Sequence, residues 1–153
     1  MSHHDNTQED RLPQVLLRRE GAIGWIVFDN PRRHNAMSLA MWEALPACID
    51  ALEADPAVRV VALRGAGDQA FVSGADISEF ERERDTVEAH ERYEAIGSAA
   101  MGRLAQCGKP TIAMLQGWCL GGGMAIALNC DMRIADESLR FGIPAARLGI
   151  GYR

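Results

Sequence analysis

No run of apolar residues in this 153-residue chain approaches the roughly 20 that a membrane-spanning helix needs. The apolar segment of a secretory signal is missing too, since Met1 to Asp10 is polar and acidic. The four cysteines, Cys48, Cys107, Cys119 and Cys130, form no CxxC pair and no zinc-like spacing. Scattered cysteines without a secretory signal read as reduced thiols in a cytoplasmic protein. Basic residues are in deficit: 16 Lys and Arg face 21 Asp and Glu, a formal charge of -5, with no basic stripe. That balance argues against nucleic acid as a partner. An anionic ligand needs a local dipolar or basic site that works against the global charge.

The remaining composition is that of one soluble globular domain, with 48% hydrophobic and 24% charged residues. Residues 1–12 read as a disordered N-terminal arm. Its His3-His4 pair belongs to an exposed tail, and no metal site is expected. Residues 13–153 read as a single core.

Two short β-rich runs, from Val15 and from Ile23 to Phe28, flank Gly21 and predict a hairpin. Asp29-Asn30-Pro31 closes it with turn chemistry. Ser38 is placed to cap a helix running towards Ala54, with Leu39, Trp42, Leu45, Ile49 and Leu52 at helical spacing. Pro46 inside that pattern is expected to kink or split it. Val58 to Leu63 reads as a buried strand. Ser78 to Arg92 is densely charged and reads as a solvated helix face, the alternative being a flap over a pocket. Tyr93 to Leu104 continues as a packed helix. Strands are expected at Thr111 to Leu115, Asp131 to Ala135 and Leu139 to Phe141, with a helix after Gly121-Gly122-Gly123. No strict repeat is present. The alternation of strands and helices predicts an α/β fold built from stacked ββα units.

Two glycine loops carry the chemistry. Phe71-Val72-Ser73-Gly74-Ala75-Asp76-Ile77 follows a buried strand, and Gly121-Gly122-Gly123 opens a helix. Both expose backbone N–H groups that no bulky side chain blocks. The first N–H groups of a helix lack intrahelical partners and lie at the positive end of its dipole. Such a start suits an anionic oxygen. Alone, a GGG turn does no more than allow close packing about as often.

The flanks of these loops carry a resemblance. Arg64-Gly65-Ala66-Gly67 through Gly74-Ala75-Asp76-Ile77 resembles the RGxGxxFxxGADI segment of the crotonase family (the enoyl-CoA hydratase/isomerase superfamily). Lys109-Pro110-Thr111-Ile112-Ala113 through Gly123 resembles its KPxIAxxxGxxxGGG. Cys130-Asp131-Met132-Arg133-Ile134-Ala135, Ser138 and Phe141-Gly142-Ile143-Pro144 resemble CDxRIA...S..FGxP. Asn30-Pro31 and Asn35-Ala36-Met37 resemble NxP...NA(L/M). The register holds from residue 15 to 151 without a gap.

The resemblance implies a crotonase-like stacked ββα spiral, with the family's C-terminal helical part missing from this chain. It implies an acyl-CoA thioester as substrate, with coenzyme A as part of that substrate and no separate cofactor. It implies a homotrimer or dimer of trimers for the full-length protein. The N–H groups of Ala75 and Gly122 are the implied oxyanion hole. The backbone of Gly74, Ala75, Asp76 and Ile77 is implied at the CoA adenine, and His34, Asn35 and Ala36 along the pantetheine and phosphate path. Gly121 belongs to the same binding loop. Arg32 and Arg33 suit CoA phosphates, or are simply solvated.

One departure bears on the reaction. Hydratases of the family carry two glutamates, one two residues after GGG and one directly after the proline of FGxP. Those positions hold Ala125 and Ala145 here. A methyl group moves no proton, so two-glutamate hydration is not expected. Asp131 reads as structural. Tyr152 follows Leu148-Gly149 by three residues, the spacing of a tyrosine in the family's decarboxylase branch, and is a candidate catalytic residue. His90 is a weaker one. The expected functions are an enoyl-CoA hydratase/isomerase-like enzyme, an acyl-CoA decarboxylase or thioester hydrolase, or a non-catalytic acyl-CoA binder.

Overall fold

The β-rich runs on either side of Gly21 pair as foreseen. In a computed structural model, which describes residues 12–76, 86–144 and 147, β1 (Gln14–Glu20) and β2 (Ile23–Asp29) form an antiparallel hairpin. The even positions of β2, Gly24, Ile26 and Phe28, are buried towards the helical side. A Cβ at Gly24 would meet Leu52 and Val58.

α1 (Leu39–Ala54) starts where Ser38 caps it, its hydroxyl accepting from the Met41 N–H at 3.2 Å. Met41, Trp42, Leu45, Ile49 and Leu52 form its buried face. Of the two outcomes expected of Pro46, the split does not occur: α1 continues to Ala54. The proline removes one backbone donor. Leu45, Ile49 and Leu52 lie in one buried apolar cluster on both sides of it, and that burial outweighs the lost bond.

From β3 onwards the chain repeats one unit. β3 (Val60–Gly65) joins β2 in parallel, and β4 (Ala70–Val72) leaves for a second sheet. α2 (Val87–Ala105) follows, capped by Thr86, with Ala100 and Leu104 buried. β5 (Thr111–Leu115), β6 (Trp118–Leu120) and α3 (Gly122–Asn129) form the next unit. β7 (Met132–Ala135) and β8 (Arg140–Gly142) begin another. One sheet has the order β1-β2-β3-β5-β7 and the other β4-β6-β8. Each turn of the spiral thus gives one strand to each sheet. The fold is α/β with stacked ββα units, as the alternation implied.

The core lies between the sheets and under α1. Phe28 of the first sheet and Phe71 of the second meet edge to face, with ring centroids 5.6 Å apart. Two strands escaped the sequence reading, β4 and β6. Each has three residues; β4 pairs with β6, and β6 pairs with β8 on its other side.

Several motif residues prove to be scaffold. Asp131 accepts from both the N–H and the hydroxyl of Thr111, at 2.8 and 2.9 Å. Arg133 donates to the carbonyls of Ala127 and Cys130, closing the end of α3. Lys109 donates to the carbonyls of Leu52 and Asp55 at the end of α1. Among the described residues, no helix is long and apolar enough to cross a membrane.

Candidate functional site

The two glycine loops lie side by side. The segment Ser73 to Asp76 leaves the end of β4, and Gly121 to Gly123 leaves the end of β6, the strand paired with β4. A Cβ added at Gly121 would lie 3.9 Å from the Gly74 Cα, and one at Gly74 would lie 3.7 Å from the Leu120 carbonyl. Parallel pairing of two very short strands therefore delivers both loops to one place.

Their sequence is dictated by backbone and space. Gly121, the residue before α3, has φ +50° and ψ -114°, which an L side chain resists. Its N–H donates to the Gly142 carbonyl at 3.0 Å, and its carbonyl accepts from Ala125 to close the first helical turn. At Gly123 the limit is contact: a Cβ there would sit 2.2 Å from the Val72 carbonyl oxygen. α3 rests its first turn directly on β4.

Ala75 is held by its neighbours. The Met37 N–H donates to the Gly74 carbonyl at 2.8 Å, and the Asp76 N–H donates to the Met37 carbonyl at 2.9 Å. Met37 and Ala75 thus form an isolated parallel bridge. In such a bridge the flanked residue turns its own N–H away from its partner. No described residue accepts from the N–H of Ala75 or of Gly122. Gly122 is the first residue of α3, where the N–H groups have no intrahelical acceptor and the helix dipole is positive. Two backbone donors without a described acceptor therefore lie on adjacent loops.

The third segment, Pro31 to Ala36, is clipped onto the first loop. The Ser73 N–H donates to the His34 carbonyl at 3.2 Å, and the Ser73 hydroxyl to the Arg33 carbonyl at 2.8 Å. Arg32, Arg33 and His34 are exposed beside it. His34 and Asn35 both take positive φ, +48° and +59°. Two successive non-glycine residues in this region are uncommon and mark a constrained turn. Asn35 and Ala36 are buried, at 2% and 5% exposure. The Asn35 side chain points inwards: its Nδ2 donates to the carbonyls of Ala66 and Ala70, both at 2.9 Å, and its Oδ1 accepts from the Asn30 N–H. The Asn35 N–H is engaged as well, donating to the Asn30 carbonyl at 2.9 Å.

Asp76 is also buried, at 7% exposure, with its carboxylate facing the Asn30 amide at 3.3 Å. Ala125 sits in the first half of α3, two residues past Gly123. Ile77, Ala145 and Tyr152 lie outside the described residues. His90 lies on α2 and is exposed. A separate cleft of about 380 Å³, at the ends of β2 and β3, is lined in part by His34, Arg64 and Asp68 but by neither Ala75 nor Gly122. The glycine loops were legible in sequence; the Asn30–Asn35–Asp76 network behind them was not. No group of three or more His, Cys, Asp or Glu among the described residues could hold a metal.

The fold is shared with known proteins. Residues 18–152 match the family model described as enoyl-CoA hydratase/isomerase. The chain belongs to that family. It is 39% identical over 139 residues to a short-chain-enoyl-CoA hydratase of Clostridium acetobutylicum, covering 91% of this chain and 52% of that one. It is 32% identical over 154 residues to the mitochondrial 3-hydroxyisobutyryl-CoA hydrolase of Bos taurus, covering 98% of this chain and 38% of that one. Among solved structures, an enoyl-CoA hydratase/carnithine racemase from Magnetospirillum magneticum superposes with a TM-score of 0.87 at 37% identity, over 91% of this chain and 52% of that one. The chain spans about half the length of the curated relatives it matches.

Proposed function

We propose that this chain forms the acyl-CoA-binding core of an enzyme that polarises a thioester carbonyl between the N–H groups of Ala75 and Gly122. The observation that carries the reading is the approach of the two glycine loops, each presenting an N–H without a described acceptor. When an enolate or tetrahedral species forms, the thioester oxygen gains negative charge. Donors already fixed around it then contribute several kcal/mol, and losing one typically costs about a hundredfold or more in rate. Coenzyme A, carried by the substrate, would run along the backbone of Gly74 to Ile77 and past Arg32, His34, Asn35 and Ala36. The assembly proposed for the full-length protein is a trimer or dimer of trimers in the cytoplasm.

The reaction class follows the family: an enoyl-CoA hydratase/isomerase-like lyase or isomerase. Its acid–base groups would differ from the two-glutamate pair, because Ala125 and Ala145 have no proton to give. A second reading rests on that absence. A decarboxylase or thioester hydrolase can use the same oxyanion hole. In decarboxylation of a malonyl-type thioester, the bond from the α-carbon to the carboxylate breaks. Its electron pair passes to the carbonyl oxygen as an enolate, carbon dioxide leaves, and the α-carbon then takes a proton. Tyr152 is the candidate to assist that step. The relative named as a CoA hydrolase is consistent with this breadth. A non-catalytic acyl-CoA binder would have no use for a polarising site.

Turnover of crotonyl-CoA, a 3-enoyl-CoA, methylmalonyl-CoA and a saturated acyl-CoA, read by mass spectrometry, tests both readings. The expected result is conversion of at least one thioester, with crotonyl-CoA hydrated far below an ordinary hydratase rate. Rapid hydration of crotonyl-CoA would refute the assigned loss of acid–base chemistry. Inertness towards all four would favour the binder.

A further inference from the structure

Buried polar side chains are concentrated behind one of the two proposed donors. Six polar residues are buried among the described residues: Asp29, Asn30, Asn35, Ser38, Asp76 and Thr111. All but Thr111 lie in the segment 29–38 or directly after Ala75. Buried polar groups cost free energy unless satisfied, and a satisfied network fixes one arrangement of the backbone around it.

The bonds define what is fixed. Asn30 donates from Nδ2 to the Ala36 carbonyl at 2.8 Å and to the Asp76 carboxylate at 3.3 Å. Its N–H donates to Asn35 Oδ1 at 3.1 Å, and its carbonyl accepts from the Asn35 N–H at 2.9 Å. Asn35 then reaches the carbonyls of Ala66 and Ala70, at the base of β4. The chain from Ala70 through Asn35 and Asn30 to Asp76 therefore spans the residues on both sides of the Ser73–Ala75 loop. Met37, one residue past Ala36, makes the two backbone bonds that flank Ala75.

We propose that the side chains of Asn30 and Asn35 are positioning groups that set the place of the Ala75 N–H without themselves touching substrate. The proposal rests on reading Ala75 as a polarising donor. Displacing a donor by about 1 Å costs on the order of a hundredfold, so a network that holds the loop from both ends is a direct means to that accuracy. The positive φ of His34 and Asn35 fits this role, because it is the turn that brings the Asn35 amide inwards beneath the loop.

The test compares the wild-type protein with Asn30→Ala and Ser73→Ala. Ser73→Ala removes only the side-chain bond to the Arg33 carbonyl, which ties the same loops at the surface. Two quantities are read with butyryl-CoA carrying a ¹³C-labelled carbonyl: its infrared carbonyl shift on binding, and the ratio of its affinity to that of free CoA. The expected result for Asn30→Ala is a smaller downshift and an affinity ratio reduced about tenfold, which is about 1.4 kcal/mol. Ser73→Ala should change both in the same direction by less. A variant that only weakened the fold would bind less, yet would shift the carbonyl of bound thioester like the wild type. Should Asn30→Ala fail to fold, Asn30→Ser, a smaller change that keeps a polar group there, decides: an unchanged downshift and ratio overturn the proposal. A wild-type protein that shifts the carbonyl while every folded variant shifts it equally also overturns it, and leaves the reading of Ala75 intact. A wild-type protein that produces no shift overturns that reading itself.

Discussion

Met37 and Ala75 face each other as an isolated parallel bridge, although the first precedes α1 and the second follows β4. The bridge uses the Gly74 carbonyl and the Asp76 N–H, and leaves the Ala75 N–H directed to the other side. That orientation is what the proposal of Ala75 as a polarising donor rests on.

Gly122 allows its N–H to be removed with little disturbance. Proline is tolerated in the first turn of a helix, where the missing N–H has no intrahelical partner. Gly122→Pro should therefore fold while losing turnover by about a hundredfold or more. Gly122→Ala is the control, since it keeps the N–H and adds a similar contact, a Cβ 3.1 Å from Trp42 Cζ2. Steady-state kinetics on whichever thioester the protein converts compares them. Equal loss in both variants would show that space, and not the donor, matters at this position.

Gly123 should behave differently. A Cβ there would lie 2.2 Å from a backbone oxygen of β4, so α3 or β4 must move. Overpacking of this kind typically costs about 1–3 kcal/mol. Thermal unfolding of Gly123→Ala should show a clear loss of stability, larger than that of Gly122→Ala, whose Cβ would lie 3.1 Å from a Trp42 side-chain atom and not against backbone.

The thiols give a chemical reading of burial. Desolvation pushes the Cys119 thiol up to about 11 and the Cys130 thiol up to about 12. Since the thiolate is the reactive form, both should resist iodoacetamide near pH 8 in the native protein. Both should be alkylated after unfolding in guanidinium, which peptide mass mapping can follow. Rapid native labelling of Cys130 would contradict the packing at the end of α3.

Asp131 has a pH signature. The Thr111 N–H, and then the Thr111 hydroxyl, hold its carboxyl below the ordinary carboxylate range. A lowered folded-state pKa contributes stability above the unfolded value, about 3.9, and that contribution is lost as pH falls through the folded value. Asp131→Asn should therefore melt below the wild type at neutral pH, and the gap should close on acidification below about pH 4. The group is exposed, so solvent keeps the gap small. A gap independent of pH would mean that the charge contributes nothing.

The sequence was most informative where one physical signal dominated. Ser38 marked the start of α1 because a hydroxyl there satisfies a free helix donor. Gly121 to Gly123 marked a helix start because no other residue fits the turn and the contact with β4. β4 and β6 stayed hidden because their three residues run straight into the glycine loops, whose turn chemistry dominated the sequence there. Pro46 does not split α1, because packing on both sides of it overrides the local rule. Asn35 read as a ligand-path residue from its motif. Its side chain is aimed at Ala66 and Ala70 from a left-handed backbone at residues 34 and 35, and such a direction cannot be read from residue type.

The central claim is that two backbone N–H groups polarise a thioester carbonyl. It is tested most directly by the infrared spectrum of a carbonyl-labelled saturated acyl-CoA bound to the wild-type protein. The account requires a carbonyl stretch clearly below that of the free thioester, together with tighter binding of the acyl-CoA than of CoA itself. An unshifted carbonyl and equal affinities would contradict it, and would leave the glycine loops as packing alone.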